Sequence, residues 1–438
     1  MESCVSDTVV CHVFSNNLVT DKQWAYREGH STELLLVQLS ETWRRAIDVN
    51  KVVAVAFVDF KKAFDCVSQA ILLLKLKLQF GVQGPLLSWL TDYLTDCTQY
   101  AMVNDQHSTV LNVTCGIPQG SVLGPTLFAL YTNDLPNAVP SGSVFMYADD
   151  TTVYCIGDTV DCAVASLNKA LSELNNWCQV NSLTPHSAKC EAMLLMRKPH
   201  IGPLNSVIIG DDRIDWVKHT RLLGVTIDDR LAWSHHLTDV KKSFVNKLNL
   251  LKRSSFLRRE VLLDLYFKVI LPAVLYGLVV WGGCVNAEQL NSLEVLHCRA
   301  ARVIYNLPRD MPSAEVYQYT KWSTLNYLYK LRIIKLFYRV VNGEAPAALS
   351  HLAKKARISY SLRRNNNIVV PRFNSYFVKN SIGHRGAILW NAVSSYNTGS
   401  QFSVFYRKVK NDNYIKELNF SAQSVQSLPR HYNDFKCY

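Results

Sequence analysis

The sequence predicts an α+β fold, a sheet layered on helices, followed by a helical and strongly basic second half. The run Val52–Phe57 is short, apolar and β-branched, which is typical of a strand buried on both faces. The segment SVFMYADDTTVYC has two apolar stretches around an acidic pair, and it predicts a hairpin with Asp149 and Asp150 at its tip. Segments with helical spacing lie between these strands, and this order of elements favours helices packed on a sheet.

The other elements follow from the same patterns. Helical spacing predicts helices over 33–49, 63–82, 126–135 and 160–180, with a further helical stretch after Gly84-Pro85. The stretches 98–104 and 108–115 predict paired short strands around the turn-forming Asn104-Asp105, and 192–196 predicts another strand. The segment GIPQGSVLGP at 116–125 breaks all periodicity, so it is predicted to be a loop.

Charge divides the chain into two unlike parts. Residues 1–230 hold 17 basic and 24 acidic residues, a net charge of −7, whereas residues 231–438 hold 30 basic and 11 acidic residues, a net charge of +19. Phe244, Leu248 and Leu251 lie at helical spacing beside basic residues, which predicts amphipathic helices with basic outer faces. Beyond Pro346 no long period is visible, so 346–438 is predicted to be a smaller, irregular basic region. A basic half indicates a polyanionic partner, and the alternative is a solvated basic surface.

Composition and cysteine spacing exclude several classes of protein. The 438 residues are 48% hydrophobic and 19% charged, which excludes a mainly disordered or collagen-like chain. The 12 cysteines include no C-x-x-C pair, so we expect reduced thiols in an intracellular protein rather than a zinc ribbon or disulfide scaffold. The first residues show no signal-peptide pattern. The uncharged run Val269–Val285 is interrupted by Pro272 and two glycines, and it predicts a buried or interfacial helix rather than a membrane span.

Asp149 and Asp150 are the first candidates for chemistry. Adjacent carboxylates between apolar strands repel each other, and a divalent cation is the usual way to offset that repulsion. Carboxylate oxygens suit Mg²⁺, and a third carboxylate at a neighbouring strand end would complete a two-metal site. Asp59, at the end of the buried strand, is the natural candidate for it. The alternative for an isolated acidic pair is an exposed turn, which the flanking apolar strands disfavour.

Three segments resemble the central motifs of reverse transcriptases: FVDFKKAFDCV at 57–67, GIPQGSVLGPTLFALYTNDLP at 116–136 and YADDTTVY at 147–154. In order and spacing they are most similar to those of non-LTR retrotransposons of the LINE type, such as the jockey and chicken-repeat clades. QWAYREGHST at 23–32 resembles the end of the fingers, and HTRLLGVTID at 219–228 resembles the primer-grip region. HCRAARVIYNL at 297–307 and GHRGAILWNAV at 383–393 resemble the region that follows the polymerase in these elements.

This resemblance implies an RNA-directed DNA polymerase with the right-hand architecture, which adds deoxynucleotides to a primer 3′-hydroxyl by a two-metal mechanism. It implies partial fingers at 1–50, a palm of antiparallel sheet with helices on one face at 51–230, a helical thumb-like region at 231–345 and a basic C-terminal region at 346–438. The implied partners are an RNA template, a DNA primer or target and deoxynucleoside triphosphates. Work in the nucleus and cytoplasm is also implied, with no membrane as partner.

The resemblance assigns site residues position by position. Asp59, Asp149 and Asp150 match the ligands of two Mg²⁺ ions, with Mn²⁺ as the substitute, and Lys189 matches a lysine near the leaving pyrophosphate. The positions that match substrate-contacting residues are Phe60, Phe64, Gly116, Pro118, Gln119, Gly120 and Tyr147. Phe64 matches the bulky residue that blocks a ribose 2′-hydroxyl. For Phe64 and Tyr147 the alternative is core packing, and for Lys189 it is a surface lysine.

Two further sets of residues match the parts of reverse transcriptases that hold nucleic acid. Leu222, Leu223 and Gly224 match the primer grip, where glycine lets the backbone approach the primer strand. The basic residues of the thumb-like region would contact the nucleic-acid backbone, which contributes affinity but no sequence specificity: Lys247, Lys252, Arg253, Arg258 and Arg259. Asp65, His235 and His236 are predicted to be structural.

The pattern also departs from the family. We expect no endonuclease and no full fingers upstream, with Arg27 as the one obvious cation of the fingers. Cys97 stands where family members usually carry arginine, and Ser68-Gln69 replace a usual Asp-His. The alternative function is therefore a truncated, catalytically dead fragment that only binds nucleic acid. An intron-encoded maturase would share the acidic motifs, but GHRGAILWNAV favours the retrotransposon.

Overall fold

The computed structural model describes residues 1–285, 287–354, 367–373, 379–396, 401–412 and 415. The chain divides into two compact units. The first unit comprises Met1–Leu35 and Val49–Leu231, and the second comprises Leu36–Asp48 and Ala232–Tyr438. Among the described residues, no helix combines the length and the apolar character that crossing a bilayer requires.

The first unit is an α+β unit, as the sequence predicts. Its helices are α1 (Glu2–Ser15), the start of α2 (Thr32–Asp48), α3 (Gln69–Leu78), α4 (Gly84–Leu94), α5 (Gly124–Tyr131), α6 (Leu135–Ala138) and α7 (Val160–Val180). Its strands are β1 (Val52–Val58), β2 (Thr98–Gln99), β3 (Met102–Val103), β4 (Gln106–His107), β5 (Leu111–Asn112), β6 (Ser143–Tyr147), β7 (Asp150–Gly157), β8 (Glu191–Leu195), β9 (Val207–Ile209), β10 (Asp212–Trp216), β11 (His219–Leu222) and β12 (Val225–Asp228).

Six of these strands form one sheet in the order β6-β7-β1-β8-β10-β9. Neighbours are antiparallel except for β8 and β10, which are parallel. Six of the seven residues of β1 are buried, and α7 packs on β1, β7 and β9. The prediction of a strand buried on both faces is therefore confirmed, because β1 lies inside the sheet with helical cover.

Two predicted boundaries moved for local reasons. The helix expected from residue 63 begins at Gln69, because residues 61–66 form turns and Ser68 caps the helix by accepting the N–H of Ile71. The helix expected to end before Pro136 is split into α5 and α6. Pro136 occupies the first turn of α6, a position where its missing N–H is tolerated.

The second unit is helical in the residues that the structure describes. It contains the rest of α2 and the helices α8 (Ser234–Arg253), α9 (Arg259–Leu265), α10 (Leu271–Leu275), α11 (Leu278–Trp281), α12 (Ala287–Tyr305), α13 (Ser313–Thr320), α14 (Leu325–Val341), α15 (Ile382–Val393) and α16 (Phe402–Lys410). Short π and 3₁₀ turns occupy Tyr266–Ile270, Ala347–Ala353 and Ser394–Tyr396. The run Val269–Val285 forms α10 and α11, whose apolar side chains are mostly buried.

Irregular structure beyond Pro346 was the wrong prediction for two segments. Ile382–Val393 and Phe402–Lys410 are helices, and the first is capped by Ser381, whose hydroxyl accepts the N–H of His384. α15 has only 12 residues and includes Gly383 and Gly386, which weaken the sequence signal for a helix. Residues 363–366 of the RRNNN stretch lie outside the described residues.

A buried carboxylate joins α2 to α15 within the second unit. The Glu41 carboxylate accepts the N–H of Ile382 at 2.8 Å and the N–H of Gly383 at 3.2 Å. Burial raises the pKa of Glu41, and the nearby Arg44 and these N–H groups oppose that shift. Glu41 therefore satisfies the free donors at the start of α15 from a position 340 residues earlier, which explains why most of α2 belongs to this unit.

Candidate active site

The acidic residues meet at one end of the sheet in the first unit. β1 and β7 are antiparallel neighbours with Val58 opposite Thr151, so Asp59 lies beside Asp150. Asp149 lies in the two-residue turn between β6 and β7, where Tyr147 pairs with Asp150. The predicted hairpin with two carboxylates at its tip is therefore present, and strand order places it next to Asp59.

The charges around Asp150 agree with this strand register. The pKa of Asp150 is raised, first by partial desolvation and then by the negative charges of Asp149 and Asp59. Asp150 as a whole residue remains exposed, so a cation from solvent can reach it. A divalent cation would relieve the repulsion that raises this pKa.

Lys189 reaches the same cluster from the other side of Asp59. Its Nζ lies 3.5 Å from Asp59 Oδ2, and the two side chains are 66% and 35% exposed. The backbone holds this contact in place, because the N–H of His186 donates to the Asp59 carbonyl at 2.7 Å and the N–H of Lys189 donates to the His186 carbonyl at 2.8 Å.

The donor set fits Mg²⁺ in chemistry. Asp59, Asp149 and Asp150 offer carboxylate oxygens, the ligands that Mg²⁺ prefers. Over the part of the chain that the structure describes, no three His, Cys, Asp or Glu side chains are close enough together to hold a metal ion as they stand. The ammonium of Lys189 lies 3.5 Å from Asp59 Oδ2 and would compete with a metal ion for that carboxylate.

The loop 116–120 packs against the segment that follows Asp59. Gly116 has a φ of +93°, and a Cβ on it would lie 2.9 Å from the carbonyl oxygen of Asp65, so only glycine fits there. Gln119 is exposed, and its Nε2 donates to Asp65 Oδ1 at 2.7 Å. Pro118 and Gly120 are also exposed. Asp65 therefore holds the loop by a hydrogen bond.

The aromatic candidates divide into exposed and buried side chains. Phe64 is half-buried and stacks on Phe128 with ring centroids 4.4 Å apart, so one face packs and the rest is accessible. Phe60 is 4% exposed and belongs to the hydrophobic core. Tyr147 is half-buried at the end of β6.

Sequence reasoning missed two residues near the acidic turn. Partial burial raises the pKa of the Tyr26 phenol, and the negative charge of Asp149 adds to the shift. Gln23 is buried, and its side chain is hydrogen-bonded to the backbone of Ala148, the residue before Asp149. Both residues lie in QWAYREGHST, where the resemblance drew attention only to Arg27.

Arg27 itself is engaged within its own segment. Its guanidinium donates to the Thr20 carbonyl at 2.6 Å and to the Gln23 carbonyl at 3.3 Å, and it lies over the Phe14 ring. Desolvation lowers the pKa of Arg27. In this conformation the side chain supports the backbone around residue 23.

The primer-grip candidates form the tip of a second hairpin of the first unit. Leu223 and Gly224 connect β11 to β12, with φ values of +47° and +81°. Leu222 is buried, Leu223 is half-buried and Gly224 is exposed. The predicted basic residues belong to the second unit, where Lys247 is half-buried and the others are exposed: Lys252, Arg253, Arg258 and Arg259. Their exposure matches the predicted basic outer face.

Comparison with known proteins defines the class of the chain. Residues 1–227 match the family model described as "Reverse transcriptase (RNA-dependent DNA polymerase)". This match covers the whole acidic site and the loop 116–120. The chain therefore belongs to the reverse transcriptase family.

The chain is also similar to curated proteins of mobile elements. The chain is 27% identical over 308 residues to the "RNA-directed DNA polymerase from mobile element jockey" of Drosophila melanogaster, a match of 67% of this chain and 33% of that protein. It is 29% identical over 307 residues to the "Probable RNA-directed DNA polymerase from transposon BS" of the same species, with 66% and 33% covered. The chain thus spans about a third of the length of these relatives.

Among solved structures, telomerase from Candida albicans in complex with a fragment of telomeric RNA aligns with 95% of this chain and 57% of that chain. The TM-score is 0.40 and the sequence identity is 13%.

Proposed function

We propose that this chain is the polymerase part of the RNA-directed DNA polymerase of a non-LTR retrotransposon, and that it extends a primer 3′-hydroxyl on an RNA template. The observation that carries the proposal is the placement of Asp59 beside the Asp149–Asp150 turn by the β1–β7 register. The raised pKa of Asp150 adds that these carboxyl groups interact.

The roles of the residues follow from their positions. Asp59, Asp149 and Asp150 would hold two Mg²⁺ ions, or Mn²⁺ in their place, which supply charge neutralisation at the reacting phosphate and activation of the primer hydroxyl. Lys189, at 3.5 Å from Asp59, would move toward the leaving pyrophosphate when metal occupies the carboxylates. Its ammonium would neutralise the charge that develops there.

The surrounding residues would orient the deoxynucleoside triphosphate and the nucleic acid. The exposed edge of Phe64 would exclude a ribose 2′-hydroxyl, and the loop 116–120, held by Asp65, would pack against the base pair being formed. Tyr147 would line the primer path, and the hairpin tip Leu222–Gly224 would contact the primer backbone. We assign the regions accordingly: partial fingers at 1–50, palm at 51–230, thumb at 231–345 and a basic C-terminal region at 346–438.

Primer extension on an RNA template with Mg²⁺ and deoxynucleotides tests the proposal. The test variant is the double change Asp149→Ala, Asp150→Ala. The matched control is Asp211→Ala, Asp212→Ala, because that acidic pair also lies at a hairpin tip of the first unit. We expect extension by the parent and by the control, and loss of extension in the test variant. Equal extension by all three proteins would contradict the assignment of the acidic site.

The net charge of +19 in residues 231–438 favours a second candidate, a fragment that binds nucleic acid without polymerising. It predicts salt-sensitive binding of RNA–DNA duplex with no extension by the parent. Under either candidate function, the chain should bind nucleic acid more weakly when four basic residues are changed to alanine: Lys252, Arg253, Arg258 and Arg259. The control removes four exposed basic residues of the first unit: Lys51, Lys77, Lys169 and Arg197. Equal loss in both variants would mean that only net charge matters.

A further inference from the structure

A buried glutamine contacts the turn that carries the acidic pair. The Gln23 side chain is 0% exposed. Its Nε2 donates to the Ala148 carbonyl at 3.3 Å, and its Oε1 accepts the N–H of Ala148 and the N–H of Ala25, each at 3.1 Å. Since only the amide nitrogen donates and only the oxygen accepts, one orientation of the amide satisfies all three contacts. Both backbone groups of Ala148 are therefore bound by one side chain.

The backbone around Gln23 is fixed to the same strand. The N–H of Trp24 donates to the Met146 carbonyl at 2.9 Å, and the N–H of Met146 donates to the Lys22 carbonyl at 2.9 Å. Gln23 forms a parallel bridge with Met146. The segment around Gln23 therefore pairs with β6, the first strand in the sheet order. The backbone is therefore held on both sides of Gln23, which keeps the Cα of Gln23 close to the turn.

Ala148 needs such support because of its backbone conformation. Its φ is +57°, a left-handed value that costs a residue with a Cβ about 1–2 kcal/mol. The first position of a two-residue hairpin with positive φ is usually glycine. The chain uses glycine at the equivalent position of its other acidic hairpin, where Gly210 has a φ of +61°. The acidic turn therefore carries strain that the Gln23 hydrogen bonds offset.

We propose that Gln23 is a positioning residue for the acidic turn: it holds Ala148 in the left-handed conformation and so fixes the direction in which Asp149 and Asp150 project toward Asp59. Gln23 does not contact the reacting atoms in this role. Its effect on primer extension rests on the proposed polymerase function, whereas its effect on the turn does not.

Four variants test the role. Gln23→Ala removes all three side-chain bonds, and Gln23→Glu keeps the two acceptor contacts but cannot donate to the Ala148 carbonyl. Gln23→Ala combined with Ala148→Gly removes the support together with the strain that it offsets. The matched control is Asn168→Ala, because Asn168 is also an amide that clamps backbone, accepting the Ile208 N–H at 3.0 Å and donating to the Ser206 carbonyl at 2.9 Å beside the other acidic hairpin.

In primer extension we expect Gln23→Ala to lower kcat by about 10- to 100-fold with little change in the KM for deoxynucleotide, because a small misplacement of the carboxylates affects chemistry more than binding. It should also raise the Mg²⁺ concentration that gives half-maximal rate. Gln23→Glu should be intermediate, the double variant should recover most of the lost kcat, and Asn168→Ala should stay within about twofold of the parent. An unchanged kcat in Gln23→Ala, or no recovery in the double variant, would overturn the proposal.

Hydrogen–deuterium exchange of the segment 147–149 gives a readout that needs no turnover. We expect the Ala148 amide to exchange at least about tenfold faster in Gln23→Ala than in the parent and in Asn168→Ala. Equal rates would overturn the proposal. A parent chain that extends no primer would contradict the polymerase function, and the exchange rates alone would then decide the role of Gln23.

Discussion

The first unit contains two hairpins of the same design with different surroundings. In one, Ala148 and Asp149 form the turn and Asp150 pairs with Tyr147. In the other, Gly210 and Asp211 form the turn and Asp212 pairs with Ile209. Both turns carry two adjacent aspartates, and both have a positive φ at the first position. The local sequence alone thus offers two acidic tips.

The position of each strand in the sheet distinguishes the two acidic hairpins. Both pairs lie at the same end of the sheet, but β7 is a direct neighbour of β1, whereas β8 lies between β1 and β10. With strands about 4.8 Å apart, Asp150 lies next to Asp59, while Asp212 lies about two strand spacings away from it. A carboxylate pair therefore becomes a candidate metal site through its neighbour in the sheet.

The largest expected effect tests Asp59, the carboxylate at the end of the neighbouring strand β1. Asp59→Asn should lower primer extension by roughly 100-fold or more, because a lost metal ligand removes several kcal/mol of transition-state stabilisation. The control is Asp158→Asn, at an exposed aspartate next to β7 that pairs with Lys51 at 3.2 Å. Single-turnover extension rates measure both. Comparable rates for the two variants would mean that proximity to β1 is irrelevant.

The second effect concerns Lys189, the cation beside Asp59. Lys189→Ala should slow extension by roughly 10- to 100-fold, since the leaving pyrophosphate loses a neutralising group. The apparent Mg²⁺ affinity should not fall, because the ammonium competes with metal for Asp59. The control is Lys198→Ala, because Lys198 is also an exposed lysine and lies shortly after β8. A Mg²⁺ titration that shows weaker metal binding in Lys189→Ala would contradict this role.

The third effect compares the two turns in stability. Ala148→Gly should raise the free energy of unfolding by up to about 1 kcal/mol, because relief of the left-handed alanine exceeds the entropy that glycine adds to the unfolded chain. Gly210→Ala should lower it by about 1 kcal/mol for the converse reason. Urea denaturation of each variant measures the change. Shifts of the same sign would remove the contrast between a strained and a relaxed turn.

The smallest effect is a pH dependence. A raised pKa means that the folded chain binds the Asp150 proton more tightly than the unfolded chain, so stability falls as pH rises from the ordinary value of 3.8 through the raised value. Asp150→Asn should therefore be more stable than the parent at pH 7, by less than about 1 kcal/mol because solvent screens an exposed group. Below pH 3.8 the difference should vanish.

A further prediction for Asp150→Asn concerns the effect of Mg²⁺ on stability. Added Mg²⁺ should raise the melting temperature of the parent more than that of Asp150→Asn, since only the parent keeps the full ligand set. Asp212→Asn is the control, and we expect it to respond to Mg²⁺ as the parent does. An equal Mg²⁺ response in all three proteins would place the metal elsewhere.

Sequence reasoning was most successful where one segment contains its own explanation. The buried strand predicted at 52–57, the acidic hairpin predicted at 143–155 and the helix predicted at 160–180 each rest on a clear local pattern, and the structure confirms all three, with β1 ending at Val58 and β7 at Gly157. It was weakest at α15, a helix of 12 residues in which Gly383 and Gly386 weaken the helical signal. The motifs also indicated the α+β class and the reverse transcriptase family, and the match over 1–227 confirms that family.

The sequence by itself determined which side chains have the chemistry: adjacent carboxylates, a third aspartate after a buried strand, and a basic second half. The sequence already grouped Asp59 with Asp149 and Asp150, but only the tertiary structure shows the strand order that sets this hairpin, and not Asp211–Asp212, next to β1, because strand order is set by packing of the whole sheet. The tertiary structure also decided that Gln23 binds Ala148 and that Glu41 binds the start of α15. Both contacts join residues more than a hundred positions apart, and no local pattern encodes such a pairing.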